Sequence, residues 1–143
     1  MATLDEMPTP TLLAGFTLTV VPGETTEIGR LATGGRRVLR SYSGGSFAGD
    51  RLHGRLIGGS EVLLHRPDGV TTIEANFYVK TAAGEAVRLI GTGYATGDGP
   101  FVGTRMTIVF EADEDGACGW LTTRAFVGER SDGSDVLTIF EIG

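Results

Sequence analysis

An all-β fold, a single antiparallel barrel, is the class this sequence predicts, and three observations predict it. Apolar and polar residues alternate with period two in one segment after another. Turn residues separate those segments at nearly even spacing. Glycine is abundant, with 23 in 143 residues. An interior glycine costs a helix roughly 0.5–1 kcal/mol relative to alanine, whereas a β-protein places glycines in turns, bulges and bends.

The elements follow in order. Residues 1–10 carry Pro8 and Pro10 and are predicted as a loose lead-in; residues 11–143 form the barrel domain. Thr11 to Val21 alternates, with Phe16, Leu18 and Val20 on one face, and Pro22-Gly23-Glu24 ends it. The stretch to Gly35 reads as loop with a short strand. Arg36 to Ser43 is a strand. The glycine-rich run from Gly44 to Gly59 is expected to bend, turn and start the next strand. Strands over Arg51–Ile57 and Glu61–Arg66 flank Gly58-Gly59.

Pro67-Asp68-Gly69 is a turn, because proline presets φ and glycine supplies φ > 0. Thr71 to Thr81 is the clearest strand, with Ile73, Ala75, Phe77 and Val79 on one face and Thr72, Glu74, Asn76, Tyr78 and Lys80 on the other. Ala82-Ala83-Gly84-Glu85 closes a hairpin onto Ala86–Thr96. Gly97-Asp98-Gly99-Pro100 turns the chain into a strand over Phe101–Glu111. Asp113-Glu114-Asp115-Gly116 is an acidic loop. Gly119–Gly128 reads as a strand with Trp120, Arg124 and Phe126 in phase, and Ser131-Asp132-Gly133-Ser134 turns into Asp135–Ile142. This makes about nine to ten strands. A barrel is favoured over a sandwich because closure removes the exposed edges that long strands leave, and the glycines allow the bends.

The totals exclude several function classes. The net charge of −6, from 12 basic and 18 acidic residues, argues against binding to nucleic acid or anionic membranes. No apolar run approaches the roughly 20 residues of a membrane helix, and the N-terminus does not read as a signal peptide. The single cysteine, Cys118, fits a cytoplasmic protein. The histidines His53 and His65 have no metal-motif spacing, and no cofactor fingerprint is present.

The chain resembles the DUF3237 family, also called UPF0311. The resemblance rests on Gly44-Gly45-Ser46-Phe47-Ala48-Gly49 followed by Arg51-Leu52-His53-Gly54, then Gly58-Gly59-Ser60-Glu61. It continues through Arg66-Pro67-Asp68-Gly69 and Ile73-Glu74-Ala75-Asn76-Phe77, and ends on Trp120-Leu121 and the closing Val136–Ile142 strand. It implies a small antiparallel barrel, lipocalin-like in outline. Glu61 and Glu74 stand where the family usually has aspartate, and Asn76 where it often has arginine, so a site built on them is re-dimensioned.

Two carboxylates, Glu61 and Glu74, lie on strands joined by the Pro67-Asp68-Gly69 turn. Such a pair in a dry cavity can divide acid and base roles. Two placements stay open. The apolar face of Thr71–Thr81 points inward and Glu74 meets solvent, or the barrel holds a polar ligand and Glu74, Asn76 and Tyr78 face the lumen. In the second case Glu74 is the first choice of acid–base group, with Glu61 and then His65 behind it. Asn76 and Tyr78 would hold a substrate oxygen, and Arg40 or Arg124 would stabilise a developing anion. Tyr42 and Trp120 would supply aromatic walls. The outward apolar stripe would then require a second subunit, so a homodimer is expected.

The function expected is a cofactor-independent isomerase, cyclase or lyase. It would move protons on a small hydrophobic or aromatic metabolite bound in the lumen. The alternatives are a non-catalytic lipocalin-like carrier and a structural oligomerising subunit.

Overall fold

The computed structural model describes residues 3–97, 99 and 101–143. Eight strands close into an antiparallel barrel in sequential order. They are β1 (Leu12–Arg30), β2 (Arg36–Gly49), β3 (His53–His65), β4 (Thr71–Thr81), β5 (Ala86–Thr96), β6 (Gly103–Glu111), β7 (Phe126–Ser131) and β8 (Val136–Ile142). Closure comes from β1, which pairs with β8 from Leu12↔Ile142 to Thr19↔Val136 and with β2 on its other side. Turn glycines sit where the sequence places them. Gly69 and Gly84 adopt φ of 89° and 93°, which a side chain rarely tolerates.

The expectation of nine to ten strands is corrected to eight, for local reasons. The strand ending at Val21 and the short one after it are a single β1, because the chain passes Pro22 with a register shift rather than a turn. Arg51–Ile57 and Glu61–Arg66 are likewise one strand, β3, which passes a register shift against β4 between Leu56 and Gly58, leaving Ile57 unpaired there. The turn in the glycine-rich run lies instead at Asp50-Arg51-Leu52. Gly119–Gly128 is not one strand: Gly119–Thr123 forms a short 3-10 turn, and β7 begins only at Phe126. The Gly97–Pro100 turn falls partly outside the described residues, at Asp98 and Pro100. A further 3-10 turn, Leu4–Glu6, lies in the lead-in.

The structure decides the face question on β4. Ile73, Ala75, Phe77 and Val79 are buried inside, and Glu74, Lys80 and Tyr78 are exposed outside. Fully burying each large apolar side chain contributes about 1.5–3 kcal/mol, while a carboxylate turned inward needs partners. The apolar stripe that argued for a second subunit is therefore core, and that motive for a homodimer is gone.

The two ends of the barrel differ. At one end Phe16 and Phe47 stack with ring centroids 4.8 Å apart, and Phe110 meets Phe126 edge to face at 4.9 Å. Leu121 of the Gly119–Thr123 turn is fully buried beneath them. This half is a solid plug. At the other end β1 continues beyond β8 with β2 as its ladder partner, from Pro22 to Arg30. Pro22 has no N–H to leave unpaired, and Glu24 and Glu27 guard the strand edge.

Close backbone approach fixes two glycines. A Cβ on Gly45 would lie 2.1 Å from the Thr19 carbonyl oxygen, and one on Gly93 would lie 2.0 Å from that of Arg105. Neither neighbour can rotate away, since both are ladder backbone. Gly93→Ala should therefore part β5 from β6 and lower stability by roughly 3 kcal/mol, the upper range for overpacking. Urea unfolding with an unchanged midpoint would contradict this.

Candidate functional site

The inward phase of each strand builds the site. On β2 the residues Val38, Arg40 and Tyr42 share the lumen side; on β3 Glu61, Leu63 and His65 do; on β7 Phe126, Gly128 and Arg130 do. Arg40 is register partner to Glu61. The lumen above the aromatic plug contains a cavity of about 420 Å³. It opens between the free half of β1 and the β7–β8 turn, with Pro22, Gly23 and Thr25 on one lip and Ser131 to Asp135 on the other. The gap exists because the last link from β1 to that turn is the Val20 N–H donating to the Asp135 carbonyl.

At the inner end of the cavity lies a buried charged group. Glu61 is 0% exposed and Arg130 7%. Arg130 grips the carboxylate with two parallel bonds, Nη1 to Oε1 at 3.0 Å and Nη2 to Oε2 at 2.8 Å. The Tyr42 hydroxyl donates to the same Oε1. Forked, charge-assisted bonds of this kind are the stronger class, and a buried carboxylate requires them.

The electrostatics follow from that arrangement. Burial pushes the Tyr42 phenol up, and the adjacent Glu61 charge adds to it, raising the pKa from 10.0 to about 12. Burial pulls the Arg130 guanidinium down, but the hydrogen bonds and charge of Glu61 more than offset it, and its net shift is upward. At neutral pH the phenol keeps its proton and the guanidinium its charge. Tyr42 and Arg130 both line the cavity, as do Arg40 and His65. His65 Nδ1 lies 2.9 Å from Thr71 Oγ1.

Several residues singled out from the sequence lie elsewhere. Glu74 is outside, so its placement as the lumenal acid is corrected, for the packing reason given above. Asn76 and Tyr78 share that outer face. Asn76 Oδ1 accepts from Arg88 at 3.0 and 2.6 Å. Trp120 and Arg124 are not on a lumen wall, because the segment carrying them is the 3-10 turn and the extended residue after it. Trp120 packs at the plugged end with the Arg51 guanidinium 3.6 Å from its ring centroid, and Arg124 pairs outside with Glu141 at 3.2 Å.

A larger depression of about 760 Å³ lies on the outer face near Glu74, Thr92, Thr107, Val127 and Phe140. Its charged pair, Arg105–Glu129 at 3.1 Å, is solvent-exposed. The lumen is the better candidate because convergent, buried polar groups mark a binding site more strongly than size does.

Arg130 is the residue the sequence reading missed. The predicted strand ends at Gly128, yet the period-two run Phe126, Gly128, Arg130 carries the inward phase two residues further. His53 and His65 stand at opposite ends of β3. Among the described residues no cluster of three or more His, Cys, Asp or Glu side chains is placed to hold a metal ion.

Comparison with known proteins agrees with this architecture. Three crystal structures align over nearly the whole chain. The first is a protein of unknown function from Clostridium acetobutylicum, at 22% identity and TM-score 0.83, covering 93% of this chain and 99% of that one. The second is a β-barrel-like protein from Acinetobacter baumannii, at 19% and 0.81, covering 96% and 98%. The third is an enzyme from Penicillium herquei, at 19% and 0.77, covering all of both chains. At these identities the likeness shows the fold. No curated protein matches the chain. A family model described as a protein of unknown function, DUF3237, matches residues 10–141. With the barrel, its turn glycines and that match in agreement, the chain belongs to the DUF3237 family.

Proposed function

We propose that the protein is a cofactor-independent enzyme that moves protons on a small hydrophobic or aromatic molecule in the lumen, as an isomerase, cyclase or lyase. One observation carries this reading: a cavity-lining phenol, Tyr42, is hydrogen-bonded to a buried carboxylate, Glu61. Glu61 draws on the phenol proton, so the phenol oxygen gains acceptor strength toward a substrate O–H or acidic C–H. As Tyr42 takes a substrate proton, its own passes to Glu61. The reverse movement delivers a proton to a different substrate atom, and none is consumed. Arg130 fixes the carboxylate and keeps Tyr42 aimed at the cavity. His65, at the rim, is a second proton carrier within the same space. The Penicillium herquei enzyme shares this barrel, which supports a catalytic use of the fold.

Deuterium incorporation from D₂O into enolisable aryl ketones and cyclic enones, followed by proton NMR, tests the reading. Exchange above the buffer rate is expected for the wild-type protein, and equally for Glu74→Gln, whose side chain is outside. Ligand binding with no exchange for any ketone would reject the enzyme and favour a carrier. Loss of exchange in a folded Glu74→Gln would move the site to the outer face.

A further inference from the structure

We infer that the ligand carries a carboxylate and that Arg40 is the residue that reads it; this rests on the lumen being the ligand site. Arg40 shares the strand face of the buried Val38 and Tyr42 on β2 and lines the cavity, but its own side chain is solvent-exposed. Its register partner is Glu61, which would ordinarily neutralise it. Glu61 is already engaged, however, with Arg130 on both oxygens and Tyr42 on one. Among the described residues Arg40 has no salt bridge and no side-chain hydrogen bond. On the outer face the mid-strand Arg88 and Arg105 each hold an acid, Glu111 and Glu129, while Arg37 and Arg55 hold none among the described residues; what sets Arg40 apart is that it lines the cavity. A guanidinium offers a planar fork that a carboxylate fits with two bonds.

The rest of the wall orients such a ligand. Asp132 and Asp135, on the β7–β8 turn, also line the mouth. They repel an anion from that lip and leave the β2 wall as its place. Arg40 and Tyr42 are two residues apart on one strand face, about 6.6 Å along it. A six-membered ring with a hydroxyl and a carboxylate at opposite ends spans that distance. The ligand class is then a small aromatic or cyclic hydroxy acid, its acid end at Arg40 and its hydroxyl at Tyr42.

The test compares 4-hydroxybenzoate with 4-hydroxybenzamide, equal in shape and differing in charge, by amide-resonance titration of the full chain. The wild-type protein should bind the carboxylate about tenfold tighter than the amide, the usual worth of one charge-assisted pair. Arg40→Gln should lose that preference while keeping its affinity for the amide, and Arg40→Lys should keep part of it. Equal affinities in the wild type, or a preference surviving in Arg40→Gln, would overturn the role of Arg40 and leave the lumen reading intact. Failure of both probes to perturb lumen resonances at millimolar concentration would overturn both. Since binding is the readout, absence of proton exchange does not affect the outcome.

Discussion

Replacing Glu61 by glutamine is expected to destabilise the barrel by about 3–5 kcal/mol, the cost of leaving a buried charge without its partner. Arg130 is nearly as buried as Glu61, and β7 offers it no other carboxylate: Glu129, its neighbour, points outside and holds Arg105. A guanidinium does not escape by losing its proton. The melting temperature should fall by about 10 °C or more. Removing both charges, as in Glu61→Gln with Arg130→Met, should recover much of the loss, because no unpaired charge is then left buried and the new amide oxygen can still accept from Tyr42. A Glu61→Gln melting temperature within a degree or two of wild type would show that the carboxylate and guanidinium do not depend on each other.

Tyr42→Phe carries the other large effect, and it falls on chemistry rather than on the fold. Phenylalanine retains the packing against Phe77, whose ring centroid lies 5.6 Å away, and removes one donor to Glu61. Arg130 still satisfies both carboxylate oxygens, so stability should change by only about 1 kcal/mol. Proton exchange on an active ketone should drop by roughly 10²–10⁴-fold, the usual worth of a positioned proton carrier. Full exchange activity in Tyr42→Phe would eliminate the phenol–carboxylate relay and leave His65 as the remaining group.

The same variant reports on pH. Tyr42 titrates near pH 12 when folded against 10.0 as a free group. Between those values the unfolded chain has lost a proton that the folded chain keeps, so folding is favoured below pH 10 and loses this contribution as pH rises toward 12. Tyr42→Phe should lack that segment of the alkaline stability loss, and its phenolate absorbance should lack a component titrating near pH 12.

Much of the fold was legible because it depends on short-range pattern. Period-two alternation located β4 to its end residues, Thr71 and Thr81. Proline and glycine located the turns after His65 and after Thr81, where backbone conformation alone decides. Strand ends were misread where glycine did not mean a turn. Gly58-Gly59 interrupts the side-chain pattern of β3 without breaking its ladder to β2, in which Gly59 pairs with Tyr42. Conversely, Gly119–Thr123 has the composition of a strand but tightens into a turn that plugs the barrel with Leu121. No local preference specifies that burial.

The site was less legible. Alternation divides β4 into two faces but is symmetric between them, so it carries no sign. That left Glu74 and Glu61 as rivals with equal local chemistry. Only Glu61 faces inward, since the phase of each strand is set by closure of the whole sheet. Its partner Arg130 lies 69 residues away in sequence, near the end of β7 and beyond Gly128, where the predicted strand ends. The sequence by itself determined an antiparallel all-β chain of the DUF3237 kind, with its turns and its alternating faces, because these arise from interactions within a few residues. Only the tertiary structure decided which face is lumen, that Tyr42, Glu61 and Arg130 meet there, and that Arg40 lines the same space without an acid of its own. Those outcomes depend on which strands become neighbours around a closed ring, and on which side of that ring the charge can be compensated.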